Sequence, residues 1–400
     1  MQIAIVGGGI GDLTAALTLL QRGHEVSVYE QTETLGEIGA GLQLSANGSC
    51  ILINLGLSDR LNPVICEAAC KEVRVWSTGA TRKLFDLGAD PRNRFGAPYW
   101  FFQRGDLHRV LREAVIAERT DAIHMGKQAV RMGQTDNGIE VQFEQGDHAE
   151  AEILIGADGV HSVIRGELFG SPKAHFMGLI ACRGLIDMEH LPEEMRRPVG
   201  LNWVGPCGHV VTYPLGNGSI LNFVGIVEDK EWRDESWSTK GAYSDLAARL
   251  PDWHDHIHTM IKNITQPFKW ALVGRDPLPR WSGGRATLLG DACHPSLPFL
   301  AQGANMALED AVVLARCLDL LEADAVSALE LYQDLRLART NKVVLGSLIN
   351  AHRFHNPILA DAATAEDYLE HEWEPEKVKL RYDWLFEYDA TTIPLVVSAA

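Results

Sequence analysis

The stretch MQIAIVGGGIGDLTAA, residues 1–16, decides how the first part of the chain folds. Its apolar run from Ile3 to Val6 predicts a buried strand, and a cluster of glycines follows directly. The next residues, from about Leu13 to Gln21, have the apolar spacing of a helix, and HEVSVYE then completes residues 2–31 as a second strand. A strand, a glycine turn and a helix in this order predict a dinucleotide-binding βαβ unit.

The glycine turn carries one unusual residue. Gly7 and Gly9 take the first two glycine positions, but Asp12 stands where the third belongs and Gly11 precedes it. Glu30 ends the second strand, where a carboxylate accepts hydrogen bonds from ribose hydroxyls. The helix dipole favours an aspartate in the first turn, whereas a bound phosphate is repelled by it. We therefore predict nucleotide binding that is weakened but not abolished; a tight turn without a ligand is the alternative.

Length and composition narrow the class of protein. The 400 residues are 46% hydrophobic and 22% charged, which predicts a folded chain of two or three domains. A formal net charge of −17 with no basic block argues against nucleic acid or an anionic membrane as a partner. The seven cysteines are scattered without a CxxC pair, so neither disulfides nor a metal site is expected. The short, glycine-broken apolar stretch at the start predicts no secretion signal, and we expect a cytoplasmic protein.

The rest of the chain alternates between two kinds of pattern. RGDLHRVLREAVIAE (104–118) predicts a helix and AEILIGADG (151–159) a strand entering a turn. After about residue 170, strands such as GHVVTYPL (208–215) and SILNFVGIV (219–227) predict a second, mainly antiparallel domain. RATLLGDA (285–292) returns to the buried-strand pattern of the first domain, and the chain is predicted to be helical from Gly303 onward.

A glycine turn alone does not distinguish NAD from FAD, but later motifs do. The chain carries GADGVHSVIR (156–165), LLGDACHPSLPFLAQGANMALEDA (288–311), GEIGAGLQLSANG (36–48), QRGDL (103–107) and RYDWLFEYD (381–389). In these motifs and their order it resembles the single-component flavin-dependent aromatic hydroxylases, which have the p-hydroxybenzoate hydroxylase fold. The resemblance is nearest to the members that act on salicylate, 3-hydroxybenzoate and 6-hydroxynicotinate.

The resemblance implies an α/β fold, with a Rossmann-like FAD-binding domain, an inserted, mainly antiparallel β-sheet substrate domain, and C-terminal helices. The corresponding division of the chain is 1–70, 101–170 and 276–320 for FAD binding, 71–100 and 171–275 for substrate binding, and 321–400 for the helical region.

The resemblance also implies roles for individual residues. Asp291 corresponds to the aspartate that contacts the FAD ribityl chain, Arg104 to an arginine that reaches FAD, and Asp158 to a residue associated with both FAD and the reduced nicotinamide. The pattern Pro298, Gly303, Asp310 corresponds to the loop and helix start beneath the isoalloxazine, where backbone N–H groups near Gly303, Ala304 and Asn305 face developing negative charge. The structural alternatives are a turn cap for Asp291, surface pairing for Arg104 and a solvated helix face for Asp310.

In this family FAD stays bound, NADH or NADPH reduces it transiently, and O2 then forms a C4a-hydroperoxide that hydroxylates an electron-rich aromatic ring. A base that ionises a phenol is needed beside the ring. We predict His209 and Tyr213 as catalytic and substrate-binding residues, because strand alternation puts both on one face. Arg183 is predicted to contact a substrate carboxylate or the edge of the flavin. A satisfied core histidine and a structural ion pair are the alternatives for His209 and Arg183.

Several alternatives remain open at this stage. The family's 3-hydroxybenzoate type has a glutamine where this chain has Pro298, which disfavours that substrate. A purine or quinolone ring is a second possible substrate, and decarboxylation during hydroxylation is undecided. A nicotinamide dehydrogenase without flavin is opposed by the Asp158 and Asp291 motifs. A non-enzymatic flavin-binding protein is the other alternative, if Asp12 compromises the site, and the chain is expected to be a monomer or homodimer.

Overall fold

The computed structural model of the chain describes residues 1–34, 41–135, 138–170, 174–229, 238–239 and 243–396. The first residues of the GEIGAGLQLSANG motif, 36–40, lie outside this part of the chain. The described strands are β1 (Gln2–Val6), β2 (Glu25–Glu30), β3 (Gly41–Leu44), β4 (Cys70–Val75), β5 (Thr81–Asp86), β6 (Trp100–Gln103), β7 (Ile123–Met125), β8 (Ala129–Gln134), β9 (Ile139–Phe143), β10 (His148–Ala151), β11 (Ile153–Gly156), β12 (His175–Asp187), β13 (Val199–Gly205), β14 (Gly208–Leu215), β15 (Ile220–Glu228), β16 (Ser238–Thr239), β17 (Thr265–Gly274), β18 (Ser282–Gly283) and β19 (Ala286–Leu288).

The described helices are α1 (Ile10–Leu20), α2 (Ala46–Asn54), α3 (Ser58–Leu61), α4 (Ala89–Phe95), α5 (Arg104–Glu118), α6 (Val163–Phe169), α7 (Tyr243–Arg249), α8 (Asp255–Asn263), α9 (Gly303–Leu320), α10 (Ala325–Phe354), α11 (Ala362–Glu372) and α12 (Pro375–Phe386). None of them combines the length and the apolar character that a membrane-crossing helix needs.

A six-stranded sheet forms the first layer. Its order is β18-β19-β11-β1-β2-β7, and all neighbouring pairs except β18 with β19 are parallel. The central strands β1 and β11 are almost wholly apolar and buried, as parallel strands covered on both faces should be. The predicted strand that enters a turn within 151–159 is β11, which pairs with β1, whereas Ala151 ends β10 in a separate three-stranded sheet.

Helix α1 begins at Ile10, three residues before the start predicted from apolar spacing. Gly9 is the N-cap residue with an extended backbone, and its N–H donates to the Asp12 carboxylate at 2.7 Å. This interaction is the return half of a capping box, so the helix is closed immediately after the glycine turn. The apolar pattern did not reveal this turn of helix because two of its first three residues are glycine and aspartate.

An eight-stranded sheet forms the second layer, in the order β16-β17-β12-β15-β14-β13-β4-β5. Its pairs are antiparallel except for β13 with β4, whose registers run in parallel from Val199 opposite Cys70. The mixed α/β architecture with a mainly antiparallel second sheet confirms the predicted fold class. Helix α10 contacts the loop at Pro298–Leu300, and α11 contacts β4, so the C-terminal helices reach the eight-stranded sheet.

Candidate functional site

A cavity of about 680 Å³ is lined by residues from both large sheets, and its size is typical of small-molecule sites. Of the residues predicted from the sequence, those in the cavity wall are Gly7, Gly9, Gly11, Glu30, Arg104, Asp158, His209, Tyr213, Asp291, Pro298, Gly303 and Ala304. Asn305 and Arg183 are not among the described residues that line it. One cavity therefore contains the glycine turn, the Gly-Asp turn formed by Gly290 and Asp291, the start of α9 and one face of β14.

The glycine turn has the steric form that a dinucleotide requires. Gly7 has a φ of +122°, and a Cβ there would lie 2.6 Å from the carbonyl oxygen of Ala157. A Cβ on Gly8 would lie 2.8 Å from the Glu30 carboxylate. Because only glycine fits these positions, the backbone is bare where a pyrophosphate approaches, and these residues fit an FAD cradle.

Gly11 explains why an aspartate is tolerated at the next position. A Cβ on Gly11 would lie 2.8 Å from the Ala307 side chain and 3.0 Å from the Leu289 side chain. Gly11 thus supplies the close packing that the third glycine of the motif usually provides. The residue at position 12 therefore does not have to be a glycine, and Asp12 borders the cavity.

The Asp12 carboxyl group is buried at the cradle, where it accepts the hydrogen bond from Gly9 N–H. Burial raises the pKa of Asp12 to about 7, and the neighbouring charges of Glu30 and Asp158 add to this, while the Gly9 hydrogen bond opposes it. The charge that repels a phosphate is therefore present above neutral pH and removed by protonation below it.

Other residues stabilise the part of the cavity that contains the glycine turn. Glu30 is buried in the cavity wall and accepts a hydrogen bond from Thr32 N–H at 2.8 Å. His108, on α5, bonds the carbonyl oxygen of Gly8 through Nε2 at 2.6 Å. Arg104 is exposed at the first turn of the same helix and borders the cavity. The sequence did not point to His108, although its position one helical turn after Arg104 puts both residues on one face of α5.

The Asp-Gly motif has a structural role as well as a place at the cavity. The Asp158 carboxylate accepts hydrogen bonds from Ser162 Oγ at 2.5 Å and from Val163 N–H at 2.6 Å. It thereby closes the N-terminus of α6 while bordering the cavity. Arg165 is buried and donates to the carbonyl oxygen of Ala292 at 2.8 Å, which ties this motif to the Gly-Asp turn that carries Asp291.

A buried network of charges lies behind that turn, and the sequence did not predict it. Asp310 on α9 accepts from Gly290 N–H at 3.2 Å and from Arg336 Nε at 2.8 Å, and its Oδ2 lies 2.5 Å from His294 Nε2. Glu309 pairs with Arg336 and Arg339, each at 2.7 Å. Burial opposes protonation of His294, but the adjacent Cys293 and Asp310 outweigh it and raise the pKa of His294 well above its usual value. Asp310 thus has no solvated face, and it fixes the turn to α9.

Side-chain hydrogen bonds fix the start of α9, and the backbone of this first turn borders the cavity. Asn305 is fully buried, accepts from Ser45 N–H at 3.1 Å and donates to the carbonyl oxygen of Ala301 at 2.8 Å. It acts on the loop, whereas Gly303 and Ala304 border the cavity. This end of α9 presents N–H groups and a positive dipole end to whatever occupies the cavity.

His209 and Tyr213 line the cavity from β14, where they lie four residues apart on one face of the strand. His209 is buried between the rings of Phe299 and Phe354, each with its centroid at 5.1 Å, and burial and the neighbouring His355 lower its pKa well below the usual value. Tyr213 stacks on Phe101 at 5.0 Å, and burial raises its pKa. Both side chains are therefore uncharged at neutral pH.

Lys71 is a cation in the cavity wall that our sequence analysis missed. It is buried on β4 and donates to Gln43 Oε1 at 3.2 Å; burial lowers its pKa to about 8. Strand alternation with Val73 and Val75, both in the core, was the available signal for its inward direction.

The sheet register fixes where Lys71 lies relative to His209. His209 pairs with Val204, which pairs with Val75. Lys71 lies four residues before Val75 on β4, which corresponds to about 13 Å along the strand. The cation and the imidazole therefore stand at opposite ends of this wall, with Val211 and Val224 among the cavity residues of the same sheet.

Arg183, predicted to bind a carboxylate, has a different setting. Its guanidinium group lies over the Trp270 ring, 4.4 Å from the centroid. Its charge acts on Tyr213, where it works against the effect of burial on the pKa. A role for Arg183 at a substrate stays a prediction.

Comparison with known proteins identifies the family of this chain. Residues 1–347 match the family model described as FAD binding domain. The chain is 38% identical to the 3-amino-4-hydroxybenzoate 2-monooxygenase PtmB3 of Streptomyces platensis, over 89% of each chain, and 32% identical to the 6-hydroxynicotinate 3-monooxygenase of Bordetella bronchiseptica, over 99% of this chain and 97% of the relative. The structure of Klebsiella pneumoniae HpxO with FAD and uric acid superposes with a TM-score of 0.81 at 26% identity, covering 96% of this chain and 95% of that one.

These matches confirm the resemblance seen in the motifs, and they confirm FAD as the cofactor class of the nucleotide cradle. They also exclude the alternative that the glycine turn belongs to a flavin-free nicotinamide dehydrogenase, because the FAD family model covers all the cofactor motifs.

Asp12 provides a test of the cradle. We expect Asp12→Gly to bind FAD roughly tenfold more tightly than the natural protein at pH 8, because the ionised carboxylate repels the pyrophosphate. The affinity of the natural protein should fall as the pH rises through about 7, the pKa of Asp12. FAD titration of the apoprotein at pH 6 and pH 8, followed by flavin fluorescence, measures both effects.

Asp12→Asn is the matched variant, because it keeps a hydrogen-bond acceptor for Gly9 and removes the charge. Its FAD affinity should be equal at the two pH values. Equal affinities for all three proteins at both pH values would contradict the proposed effect of Asp12.

Proposed function

This chain belongs to the FAD-binding monooxygenase family, and we propose that it hydroxylates a small phenolic or hydroxy-N-heteroaromatic acid, with NADH or NADPH as transient reductant and O2 as co-substrate. The observation that carries the proposal is the single cavity that joins the glycine cradle to His209. A cofactor bound at one end and an aromatic ring at the other would share a site from which bulk water is excluded.

When bound, FAD supplies the reduction of O2 and the transfer of one oxygen atom, and the protein's residues prepare the ring. His209 Nδ1 is engaged by His355, so Nε2 remains to accept the proton of a substrate hydroxyl group. Ionisation of that hydroxyl makes the ring electron-rich, as electrophilic hydroxylation requires. Because burial keeps His209 neutral, it is in the form that can accept a proton.

Lys71 supports the choice of an acid as substrate. A carboxylate at that end of the cavity would form a charge-assisted hydrogen bond with a buried ammonium group. The apolar side chains of Val211 and Val224 suit the face of an aromatic ring between Lys71 and His209. The relatives named above are monooxygenases of a hydroxybenzoate and a hydroxynicotinate, both aromatic acids that carry a hydroxyl group.

A substrate panel tests the proposed function. The holoenzyme should consume NADH or NADPH faster when a hydroxylated aromatic acid is added, and the product should gain one oxygen atom. The panel is 3-amino-4-hydroxybenzoate, 6-hydroxynicotinate, 3-hydroxybenzoate, salicylate and urate, scored by absorbance and product mass. Loss of CO2 in the product would identify decarboxylation. If no member is oxygenated and none accelerates nicotinamide oxidation, the proposal fails.

His209 should be needed for hydroxylation and not for cofactor retention. We expect His209→Ala to lower kcat of coupled hydroxylation by roughly 100-fold, the scale of a lost general base, with FAD content unchanged. His190→Ala, on the exposed surface of the same part of the chain, is the control. A coupled rate within twofold of the natural protein for His209→Ala would refute its role as a base.

Lys71 should determine affinity for the carboxylate. Replacement by methionine keeps the apolar stem and removes the charge, and we expect KM for a hydroxybenzoate to rise about 10- to 100-fold, the effect of a lost charged hydrogen bond. The KM of the natural protein should also rise above pH 8, where Lys71 loses its proton. Lys83→Met, an exposed residue on β5, is the control. A phenol without a carboxylate should bind both proteins equally, and an unchanged KM for the acid would rule out this contact.

A further inference from the structure

His209 is the inner member of a line of three titratable side chains that leads from the cavity to the surface. Its Nδ1 lies 2.6 Å from His355 Nε2, and His355 Nδ1 lies 3.6 Å from a carboxylate oxygen of Glu228. The exposed fraction of the side chain is 5% for His355 and 39% for Glu228. The three residues come from β14, from the end of α10 and from the end of β15.

The ends of this line decide which nitrogen carries each proton. The Glu228 carboxylate lies near His355 Nδ1, and its negative charge favours a proton on that nitrogen, which a direct or water-mediated contact would share. The other nitrogen of a neutral His355, Nε2, is then an acceptor, and the bond to His209 requires a proton on His209 Nδ1. His209 Nε2 is left with its lone pair, which is the form needed at the cavity.

Because both imidazoles are buried, proton transfer through them is favoured over storage of the proton on one of them. Desolvation lowers the pKa of His209 well below its usual value and that of His355 to about 4, with His352 on the same helix adding to the effect on His355. A proton that stopped on either imidazole would be a charge in an apolar site. Transfer along both rings in one step leaves neither of them charged for long.

Resting on the proposed function, we propose that His209, His355 and Glu228 form a proton exit path from the bound substrate to solvent. The substrate O–H bond breaks as His209 Nε2 takes the proton, His209 Nδ1–H passes its proton to His355 Nε2, and His355 Nδ1–H passes its own to Glu228 or to water beside it. The net change is one phenolate in the cavity and one proton in solution. His355 is a positioning and relay residue, since it acts through His209.

Proton release on ligand binding tests the path without turnover. The holoenzyme, in weak buffer with a pH indicator, is mixed rapidly with 3-amino-4-hydroxybenzoate in the absence of nicotinamide. We expect His355→Gln to slow proton release by at least about tenfold, because a glutamine accepts the His209 hydrogen bond but passes on no proton. Glu228→Gln should slow release less, since water reaches this half-exposed position. His190→Gln, at an exposed position outside this line of residues, should match the natural protein.

A second variant separates relay from packing. In His355→Ala, added imidazole should restore the rate of proton release, whereas a purely structural role would give a lowered Tm and no rescue. Release at the natural rate in His355→Gln, or failure of imidazole to rescue, would overturn the path. If His209→Ala is slow while His355→Gln is fast, the path is wrong and the proposed function stands. If the natural holoenzyme neither releases a proton nor hydroxylates any panel member, the proposed function fails as well.

Discussion

The close approach of α9 to α1 is the constraint on which the site depends. Gly11 allows it, because any side chain there would overlap Ala307. A second glycine, Gly48, faces Asn305 more closely still, since a Cβ would lie 2.2 Å from its side-chain oxygen. These glycines allow α1 and α2 to pack closely against α9. The first turn of α9 thereby lies at the cavity, beside the glycine turn. This explains why an aspartate is accepted at position 12, because Gly11, the residue before it, already allows the close packing.

Buried ion pairs then fix the orientation of α9. Removing two carboxylates and two guanidinium groups from water is unfavourable, and it is offset only where geometry and additional hydrogen bonds are good. Here each carboxylate has several partners: Asp310 bonds Arg336, His294 and a backbone N–H, and Glu309 bonds Arg336, Arg339 and Asn47. Such a network specifies one register of α9 against α10, and through Gly290 it transmits that register to the Gly-Asp turn.

Local sequence patterns predicted the helices and strands more completely than they predicted the contacts of the site. The helix 104–118 and the strand 208–215 match their predicted bounds, because apolar periodicity and β-alternation are local properties. The partner of His209 is His355, the residue after α10, and a partner of Asp310 is Arg336 on α10; they lie 146 and 26 residues away in the chain, and no local pattern specifies such pairings. Lys71 lay within reach of sequence reasoning through alternation on β4. Asp12 was recognised as unusual, but its capping bond and elevated pKa depend on burial that only the fold reveals.

The order of strands in the two large sheets has a consequence for biosynthesis. The six-stranded sheet takes β1 and β2 from the first thirty residues and β18 and β19 from near residue 285, while most of the other sheet lies between them in the chain. Strand β1 has both of its partners, β2 and β11, once residue 156 has been made, but β11 must wait for β19, at Ala286–Leu288, to complete its own pairing. Such long-range pairing slows folding and exposes unpaired strand edges. We therefore expect a fragment that ends before β19 to leave the six-stranded sheet incomplete.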